Sequence, residues 1–380
     1  MRDRRTSKPA TRDTGRVPPH ATNARISALL KDLAAAQTAR EKRFAYRRAA
    51  DAVMALEEPI ESLVQPDGTL RKIPNVGPSS ATVILEALST GVSERVERAV
   101  AESANAADIA RSRELRDDVL SRADVVQALG DPSLGGPLLK DYRGDLQMHS
   151  TWSDGRATLA DMADGCVARG YVFSAITDHG HGLSIAGGVS AAELAEQHKE
   201  IDAVNRRYGK AFRLLKGVEA NIQADGQLDL SADELRTLDI VLAAPHSKLR
   251  TTEDQTMRLI TAVATPGVHV LAHPRGRKIG MRPGIAADWD LVFAAAAKLG
   301  VAIELDGDPS RQDLDFTMAK RALALDCLFA LDSDAHSVRE LAYVETAIAH
   351  ARLAGIPRER IINCWGLKQL LAWLPRAWER

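Results

Sequence analysis

Apolar residues follow two different spacings, one in the N-terminal part of the chain and the other in the remainder. After Asn23, apolar residues recur at the i, i+3, i+4, i+7 spacing of one helix face, and a second amphipathic helix is predicted over residues 40 to 56. From about residue 141 onward, short apolar runs alternate with helical stretches instead. The strands predicted from these runs are Tyr171–Thr177, Phe212–Val218, Ile240–Ala244, Val268–Ala272, Val301–Leu305 and Leu328–Leu331, with a further one at Asp145–Met148. Apolar strands alternating with helices predict a parallel sheet or barrel that is covered on both faces.

The same pattern predicts four segments. Residues 1–21 are polar and Pro-containing without periodicity, so we expect a disordered basic tail. Residues 22–100 are expected to form a small helical domain. Residues 101–140 are expected to be a linker, with one charged helix at about 104 to 129 and then a loop. Residues 141–380 carry the α/β pattern.

Charge is distributed unevenly along the chain. The net charge is −1, but residues 1–50 hold 13 Lys/Arg against 4 Asp/Glu, which leaves −10 for the remaining 330 residues. This asymmetry suggests a polyanion-binding part joined to a cation-binding part, although a basic tail can also be only a solvated tail. Three scattered cysteines without CxxC spacing indicate core thiols of a reducing compartment. With no run of 18 apolar residues and no apolar signal segment, we expect a cytoplasmic protein without a membrane span.

The stretch LRKIPNVGPSSATVILEALSTG, residues 70–91, contains a tight turn. A short helix is predicted to end before Asn75, and a new helix is predicted to open after Gly77, with Pro78 in its first turn. Free backbone N–H groups at such a helix start can receive a phosphate. This pattern fits a helix-hairpin-helix module that contacts the nucleic-acid backbone without reading sequence. A plain corner between two bundle helices would look similar.

The order of FAYRRAADAVMAL and KIPNVGPSSATVILEALSTG resembles the small N-terminal DNA-binding domain of X-family DNA polymerases. The family usually has Gly at the position of Asn75. Some members have a lyase lysine at the position of Val83, so no lyase activity is expected here. The resemblance implies non-sequence-specific DNA contacts by Lys42, Arg43, Tyr46, Arg47, Val76, Gly77 and Ser79. Only about 50 residues separate Gly91 from Gly144, too few for a nucleotidyltransferase palm, and the Asp306-x-Asp308 pair lies in the other domain. Polymerase activity is therefore not expected.

Polar side chains follow nearly every predicted strand. They are His149 and Asp154, Asp178 and His179, Glu219, His246, His273, Asp306, and finally Asp332, Asp334 and His336. A lone histidine after a strand is often only a hydrogen-bonded loop residue, and Asp332 could be a helix N-cap. Parallel strands, however, bring their carboxyl ends to one face, where sites assemble in βα barrels. The repetition therefore predicts a multinuclear metal site.

The motifs QMHSTWSDG, ITDHG, KGVEANI, APHSK, LAHPRGR and LDSDAH resemble the PHP (polymerase and histidinol phosphatase) family, in particular the PHP domain of bacterial X-family polymerases. The resemblance covers about residues 141 to 373. It implies a distorted (βα)7, TIM-like barrel that binds up to three divalent metals, Mn²⁺ or Zn²⁺. The implied ligand sets are Gln147, His149, Glu219 and Asp334; Glu219, His246 and His273; and Asp154, His179 and His336. His149, Glu219, Asp334 and His336 are the implied catalytic residues.

Gln147 departs from the family pattern, in which many relatives have His at this position. An amide oxygen is a harder ligand than imidazole, so the exchange favours Mn²⁺ over Zn²⁺. Four cations beside the ligand motifs are candidate phosphate clamps, with solvated surface charge as the alternative. They are Lys248, Arg275, Arg277 and Arg311.

The predicted function is a metal-dependent phosphoesterase that acts on DNA ends, as a 3'-5' exonuclease, a 3'-phosphatase or an abasic-site endonuclease in repair. Paired metals suit phosphate-ester hydrolysis because they activate water and hold both the attacking and the leaving oxygen. One alternative is a small-molecule phosphatase of the histidinol-phosphate type. A second is a DNA-end-binding protein whose barrel is only structural, which the retention of eight of the nine family ligands disfavours. The oligomeric state is left open, with a monomer as the default.

Overall fold

The computed structural model describes residues 22–183 and 186–379. The predicted disordered tail, residues 1–21, lies outside the described residues. The chain forms two compact units, one extending to Ser103 with residues 120–124, and one comprising residues 104–119 and 125–380. Among the described residues, no helix is both long and apolar enough to cross a membrane.

The first unit is helical. Its helices are α1 (Thr22–Ala36), α2 (Arg40–Met54), α3 (Pro78–Thr90) and α4 (Glu94–Ala101). The apolar stripe predicted after Asn23 is buried, with Ile26 and Leu30 both at 0% exposure. Asn23 is itself buried, and it accepts a hydrogen bond from the Ile60 amide at 2.8 Å and donates one to the Glu58 carbonyl at 3.0 Å. The start of α1 is therefore tied to the segment that follows α2.

The segment before the turn that leads into α3 differs from the prediction. No helix precedes it directly; the described segment there has a short 3-10 helix, Ile60–Leu63, and an antiparallel bridge between Val64 and Leu70. The helix after the turn begins at Pro78, as predicted. Asn75 has a φ of 65°, in the left-handed region where glycine is favoured and asparagine is tolerated. Asparagine can therefore take this turn conformation in place of the glycine that is usual at this position in the polymerase domains that the segment resembles.

The second unit alternates strands with helices. Its strands are β1 (Phe173–Ile176), β2 (Arg213–Asn221), β3 (Ile240–Ala244), β4 (Val270–Leu271), β5 (Ala302–Asp306) and β6 (Leu328–Asp332). The six strands lie in chain order in one parallel, curled sheet, which confirms the predicted fold class.

Two local predictions were wrong. The single charged helix expected over about 104 to 129 is two helices, α5 (Ala106–Glu114) and α6 (Arg122–Gly130). Asp118, between them, has a φ of 57°, which is incompatible with a continuous right-handed helix. The segment Asp145–Met148 is not a regular strand and makes one parallel bridge, between Met148 and Ala335.

Helices follow the strands of the second unit, as the alternating pattern predicts. They are α7 (Leu159–Ala168), α8 (Ala191–Tyr208), α9 (Ala232–Leu235), α10 (Thr256–Ala264), α11 (Trp289–Leu299), α12 (Phe316–Ala324), α13 (Val344–Ala354) and α14 (Leu367–Trp373). Their apolar faces pack on the sheet; Phe293 of α11 and Ile348 of α13, for example, are both at 0% exposure.

The segment around residues 143–149 links the two edge strands of the sheet, although it is not a regular strand. Its carbonyls at Arg143 and Asp145 accept hydrogen bonds from Val172 and Ala175, on the β1 side, at 2.8 and 2.9 Å. On the other side, the His149 amide donates to the carbonyl of Ala335, just beyond β6, at 2.8 Å. The described residues thus place His149 between the carboxyl ends of β1 and β6, in register with the other strand ends.

Candidate metal centre

The residues that follow the strands converge at the carboxyl edge of the sheet. Eight of the predicted ligands lie together there; we call them the strand-end cluster, comprising His149, Asp154, His179, Glu219, His246, His273, Asp334 and His336. Parallel strands in register end at the same edge, so the side chains that follow them meet.

Glu219 lies at the middle of this cluster and is 1% exposed. Its Oε1 is 2.7 Å from Nε2 of His273 and 3.2 Å from Nε2 of His246. Its Oε2 is 3.0 Å from Nδ1 of His179 and 3.4 Å from Nε2 of His149. One carboxylate therefore faces four imidazoles, two on each oxygen.

The other two carboxylates of the cluster extend it in opposite directions. Asp334 Oδ1 lies 3.0 Å from Nε2 of His149. Asp154 Oδ1 lies 3.3 Å from Nε2 of His336 and 3.6 Å from Nε2 of His179. The ligand atoms fall into three groups, each within 4.8 Å: His149, Asp154, His179 and His336; His179, Glu219 and His246; and His149, Glu219 and Asp334.

The donor atoms of these groups suit divalent cations. Several are buried and have no hydrogen-bond partner within the described part of the chain, among them Oε2 of Glu219, Nε2 of His246 and Nδ1 of His179. Buried polar atoms are normally satisfied, so an unpartnered set of nitrogen and oxygen donors that face one another calls for a shared cation.

The contacts between carboxylates and imidazoles also shift the pKa values of groups in the strand-end cluster. Burial disfavours a charged imidazole, but the charge of Glu219 and a hydrogen bond with Asp154 outweigh it and raise the pKa of His179 to about 10. For His336, burial is likewise outweighed, chiefly by the hydrogen bond with Asp154, and its pKa rises to about 9. Burial would raise the pKa of Glu219, yet the surrounding imidazoles hold it well below its usual range. A cation that binds here must therefore displace protons from histidine.

Asp178, which the sequence placed beside His179 without a role, holds the turn that carries Asp154. Its carboxylate accepts hydrogen bonds from the Ser150 amide at 2.8 Å, the Ser150 hydroxyl at 2.6 Å and the Ser153 hydroxyl at 2.5 Å. A fourth comes from the Gln197 amide at 2.7 Å. The polar residues of the motif QMHSTWSDG therefore include predicted ligands, such as His149 and Asp154, and residues that hold the turn, Ser150 and Ser153.

Two further contacts orient the histidines. Asn221 Oδ1 lies 3.3 Å from Nδ1 of His246, and the Asp334 carbonyl lies 2.8 Å from Nδ1 of His336. Each contact leaves the other ring nitrogen directed into the cluster, as outer-shell partners do at metal sites. Asp334 and His273 also have positive φ angles, 51° and 24°. Such conformations are costly for residues with a Cβ, and they collect at functional sites.

The Gln147 side chain contacts a buried acid, Glu304. It is completely buried, and with its amide NH₂ turned toward Glu304 it donates to both carboxyl oxygens, with the nitrogen 2.9 Å from Oε2. The same Oε2 accepts a hydrogen bond from the His273 amide at 2.5 Å. Glu304 thus links the Gln147 side chain to the loop of His273.

Glu304 belongs to a second set of acidic residues that sequence reasoning missed as a group. We call it the interior carboxyl cluster, comprising Asp145, Glu304, Asp306 and Asp332, all at 0% exposure. Burial, then the neighbouring acids Asp332 and Asp306, raise the pKa of Glu304 well above its usual range. Burial raises the pKa of Asp332 to about 6. The only sequence signal was a glutamate within the apolar run VAIEL.

Two of the predicted phosphate clamps have structural partners. Arg275 pairs with Asp313 at 2.9 Å and with Asp315 at 2.7 Å. Arg277 lies 3.2 Å from Asp315 and donates to the carbonyls of Arg311 and Gln312. These contacts fix the loops after β4 and β5, and phosphate binding by either arginine stays a prediction.

Arg311 and Lys248 differ in their surroundings. Arg311 lies at the cluster, with Nη2 3.4 Å from Oδ2 of Asp334, and it also faces Asp306 and Asp308 at 3.7 and 3.5 Å. Lys248 is exposed on the loop after β3 and lines a surface cavity of about 320 Å³. Their roles as phosphate ligands also stay predictions.

In the helical unit, the structure brings two of the predicted DNA contacts together. The Tyr46 hydroxyl on α2 lies 2.8 Å from the Ser79 hydroxyl at the start of α3. Arg95 of α4, which sequence reasoning missed, donates to the same Ser79 hydroxyl at 3.4 Å. Lys42, Arg47 and Gly77 are exposed, and Arg43 and Val76 are half-buried. Polar and cationic groups thus surround the first turn of α3, whose leading N–H groups have no intrahelical partner.

Comparison with known proteins gives matches for both parts of the chain. A family model described as a helix-hairpin-helix domain matches residues 21–93. The chain is similar to the DNA polymerase/3'-5' exonuclease PolX of Bacillus subtilis (strain 168), with 40% identity over 239 residues, 63% of this chain. The match spans 42% of that relative, so this chain covers about two fifths of its length.

Two shorter proteins match over nearly their whole length. The probable phosphatase YcdX of Escherichia coli O81 (strain ED1a) is 30% identical over 237 residues, which cover 58% of this chain and 90% of the relative. A solved structure of histidinol phosphate phosphatase from Lactococcus lactis, in complex with zinc, L-histidinol and phosphate, has a TM-score of 0.41 at 14% identity. It covers 55% of this chain and 94% of that one.

Proposed function

We propose that this protein, which belongs to the PHP (polymerase and histidinol phosphatase) family of metal-dependent phosphoesterases, hydrolyses phosphate esters at DNA ends. The observation that carries the proposal is the combination of a helix-hairpin-helix match over residues 21–93 with the strand-end cluster in the same chain. The first supplies sequence-independent backbone contact and the second supplies phosphoester chemistry. The expected products are those of a 3'-5' exonuclease, a 3'-phosphatase or an abasic-site endonuclease.

The residues that would hold the metals are Gln147, His149, Asp154, His179, Glu219, His246, His273, Asp334 and His336. When bound, divalent cations supply Lewis-acid activation of the phosphoryl group and of water. The carboxylate and amide oxygens in the set favour Mn²⁺, and the imidazoles equally suit Zn²⁺.

The side chains themselves have separable tasks. Glu219 bridges the halves of the cluster, because each of its oxygens faces two imidazoles. His336 and Asp154 lie at the open side, where the Asp154 side chain is 38% exposed, and metal binding there would release the proton that they share. Asp334, paired with Arg311, holds His149 in place.

The first test is cleavage of a 5'-labelled oligonucleotide in Mn²⁺ by the unsubstituted protein and by His273→Ala. We expect stepwise shortening from the 3' end that the substitution abolishes. His198→Ala is the matched control, because His198 lies on α8 outside the strand-end cluster. A single cut at an abasic site, or release of a 3'-phosphate, would select one of the other end-processing reactions.

DNA retention by the helical unit can be tested without disturbing its fold. Gly77 has a φ of −86°, and a Cβ built on it meets nothing within 4 Å. Gly77→Val is therefore compatible with the turn, yet it obstructs a phosphate at the start of α3. We expect about tenfold weaker DNA binding, equivalent to roughly one charge-assisted hydrogen bond. Unchanged binding would contradict contact at this turn.

One alternative has a specific observation in its favour. The match to the probable phosphatase YcdX spans 90% of that relative, which is a protein without a corresponding length for the helical unit. Hydrolysis of histidinol phosphate with intact oligonucleotides would favour a small-molecule phosphatase. Absence of both activities, with no metal recovered from the protein, would favour a DNA-binding protein with a structural barrel.

A further inference from the structure

Two arginines lie on neighbouring loops that also carry residues of the strand-end cluster. Arg250 is on the loop after β3, which also carries His246, and Arg282 is on the loop after β4, which also carries His273. Both loops leave the carboxyl edge of the sheet, so both arginines lie on the face where the cluster assembles. Neither was among the cations singled out from the sequence.

Main-chain carbonyls fix both guanidinium groups. Arg250 Nη1 donates to the carbonyl of Met281 at 3.1 Å, and Arg282 Nε donates to the carbonyl of Gly276 at 2.9 Å. Neither side chain forms another hydrogen bond within the described residues. Since a guanidinium has five N–H donors in a planar fork, most of those on each arginine are available to a ligand.

A chain of contacts connects these arginines to the proposed ligands. The turn Lys278–Arg282 is closed by a hydrogen bond from the Arg282 amide to the Lys278 carbonyl at 3.0 Å. The Ile279 amide in this turn donates to the Ser310 carbonyl at 2.9 Å. The next residue, Arg311, lies 3.4 Å from Asp334. The turn is therefore anchored directly to the loop that borders the cluster.

The charges around the two arginines are not balanced by acids. Within the described residues, no carboxylate oxygen lies within 4.0 Å of Arg250 or Arg282. Burial, and then the positive charges of Arg311 and Arg250, lower the pKa of Arg282. The acid whose charge reaches Arg282 is Asp313, and its carboxylate is already bound by Arg275. An anion bound between two like charges lowers their mutual repulsion.

An exposed apolar side chain belongs to the residue whose carbonyl binds Arg250 and which directly precedes Arg282. Met281, whose carbonyl binds Arg250, is at the tip of the turn and is 61% exposed. A small inorganic anion gains nothing from an exposed thioether, whereas a nucleotide has a base that packs against one. This neighbour favours a nucleotide as the source of the phosphate.

We propose that Arg250 and Arg282 bind a phosphate of the DNA strand other than the one being hydrolysed, with Met281 against the adjacent base. The inference rests on the proposed function, because it assumes a substrate with more than one phosphate. Binding of this second phosphate would give the barrel a preference of its own for polynucleotides over small phosphate esters.

The test compares two phosphodiesters in Mn²⁺ with the full-length protein. A thymidine hexanucleotide has neighbouring phosphates, and bis(p-nitrophenyl) phosphate has none. For the double variant Arg250→Gln/Arg282→Gln, we expect kcat/KM for the hexanucleotide to fall at least about tenfold relative to that for the small ester. The slope of log affinity against log salt for the hexanucleotide should also decrease by roughly 0.7 for each phosphate that the variant no longer binds.

The matched control is Arg236→Gln/Arg321→Gln, which removes the same charge. Arg236 lies shortly before β3 and Arg321 is on α12 before β6, so both are on chain segments that lead to the opposite edge of the sheet. Melting temperature and Mn²⁺ content of each variant establish that the fold and the cluster are intact.

The outcomes separate this inference from the proposed function. An equal fall on both substrates, or no fall on either, would overturn the role of Arg250 and Arg282. A tenfold selective fall in the control variant as well would attribute the effect to net charge and also overturn it. If the unsubstituted protein cleaves the small ester but never the hexanucleotide, the 3'-5' exonuclease form of the proposed function is wrong.

Discussion

The strand-end cluster and the interior carboxyl cluster lie in the same barrel and contain the same acidic residue types, but their ionisation is opposite. Glu219 faces four imidazoles, and its pKa is held well below the usual range although burial opposes this. Glu304, at 0% exposure, faces Asp332 and Asp306, and burial together with these acids raises its pKa. The comparison shows that burial alone does not decide the charge of a carboxyl group; the sign of its neighbours does.

The two clusters also contribute differently to the site: one offers ligand atoms, and the other forms hydrogen bonds. The ionised carboxylates of the strand-end cluster are available as ligands for a cation. The carboxyl groups of the interior cluster, whose pKa values are raised, accept main-chain hydrogen bonds, such as the one from the His273 amide to Glu304 at 2.5 Å. The strand-end cluster thus has the donor atoms that suit a cation, and the interior carboxyl cluster hydrogen-bonds the loop that carries His273.

The largest expected effect comes from removing the central charge. Glu219→Gln keeps the shape but leaves four imidazoles without their carboxylate. We expect metal affinity to fall by more than the roughly 10–100-fold typical of outer-shell partners, with phosphoesterase activity abolished in parallel. Metal content by mass spectrometry measures this, with Glu196→Gln on the exposed face of α8 as control. Retention of the metal would contradict the central position of Glu219.

The next largest effect on metal affinity is expected at Asp178, which holds the turn that carries Asp154. Asp178→Asn replaces one acceptor oxygen by a donor that faces the Ser150 and Ser153 groups. The turn that carries Asp154 should loosen, and we expect metal affinity to fall by about 10–100-fold. Isothermal titration with Mn²⁺ is the measurement. An unchanged affinity would mean that Asp154 is not a ligand, or that the turn is held without Asp178.

The pH dependence of metal binding sharpens the comparison further. Without metal, the pKa of His179 is raised to about 10 and that of His336 to about 9, by contacts with Asp154, Glu219 and Asp334. Ligation requires neutral imidazoles, so binding must release protons and affinity must rise as pH increases from 7 toward 9. Titration in buffers of different ionisation enthalpy counts the protons. A pH-independent affinity would contradict histidine ligation.

For the interior carboxyl cluster we expect the opposite trend: its contribution to folding stability decreases as pH rises, whereas metal affinity increases. A carboxyl group whose pKa is higher in the folded than in the unfolded state stabilises the fold at low pH, and this contribution disappears as pH rises through the folded value. For Asp332 the window extends from about pH 4 to about 6. Glu304→Gln, which removes one titrating group with a raised pKa, should make this fall in stability smaller. Urea unfolding at pH 4.5 and pH 7.5 tests it; an unchanged difference would mean that Glu304 does not titrate with folding.

The smallest expected effect is at the residue between the two clusters. The Gln147 amide donates to Glu304. Gln147→His offers a softer ligand but removes an amide hydrogen bond, so we expect only a few-fold shift of preference from Mn²⁺ toward Zn²⁺. Competitive titration of the two metals measures this. A shift of a hundredfold or more would make Gln147 a dominant ligand.

The sequence was a good guide wherever function follows from position along a strand. Six apolar runs became six strands in chain order, and the polar residues directly after them met at one edge. The barrel class and the convergence of His149, Asp154, His179, Glu219, His246, His273, Asp334 and His336 could therefore be predicted, because the end of a parallel strand is a local property that fixes a shared location. Pro78 likewise marked the start of α3, since its ring suits a first helical turn.

Contacts between distant residues could be decided only by the tertiary structure. Nothing in the run VAIEL indicates that Glu304 meets Gln147 and the His273 amide, or that its pKa is raised. Spacing could not show that Arg275 is held by Asp313, or that no carboxylate oxygen of the described residues lies within 4.0 Å of Arg250. The sequence by itself determined which side chains reach the carboxyl edge of the sheet. Their partners and charges depend on burial and on groups far apart in the chain, so these came from the fold.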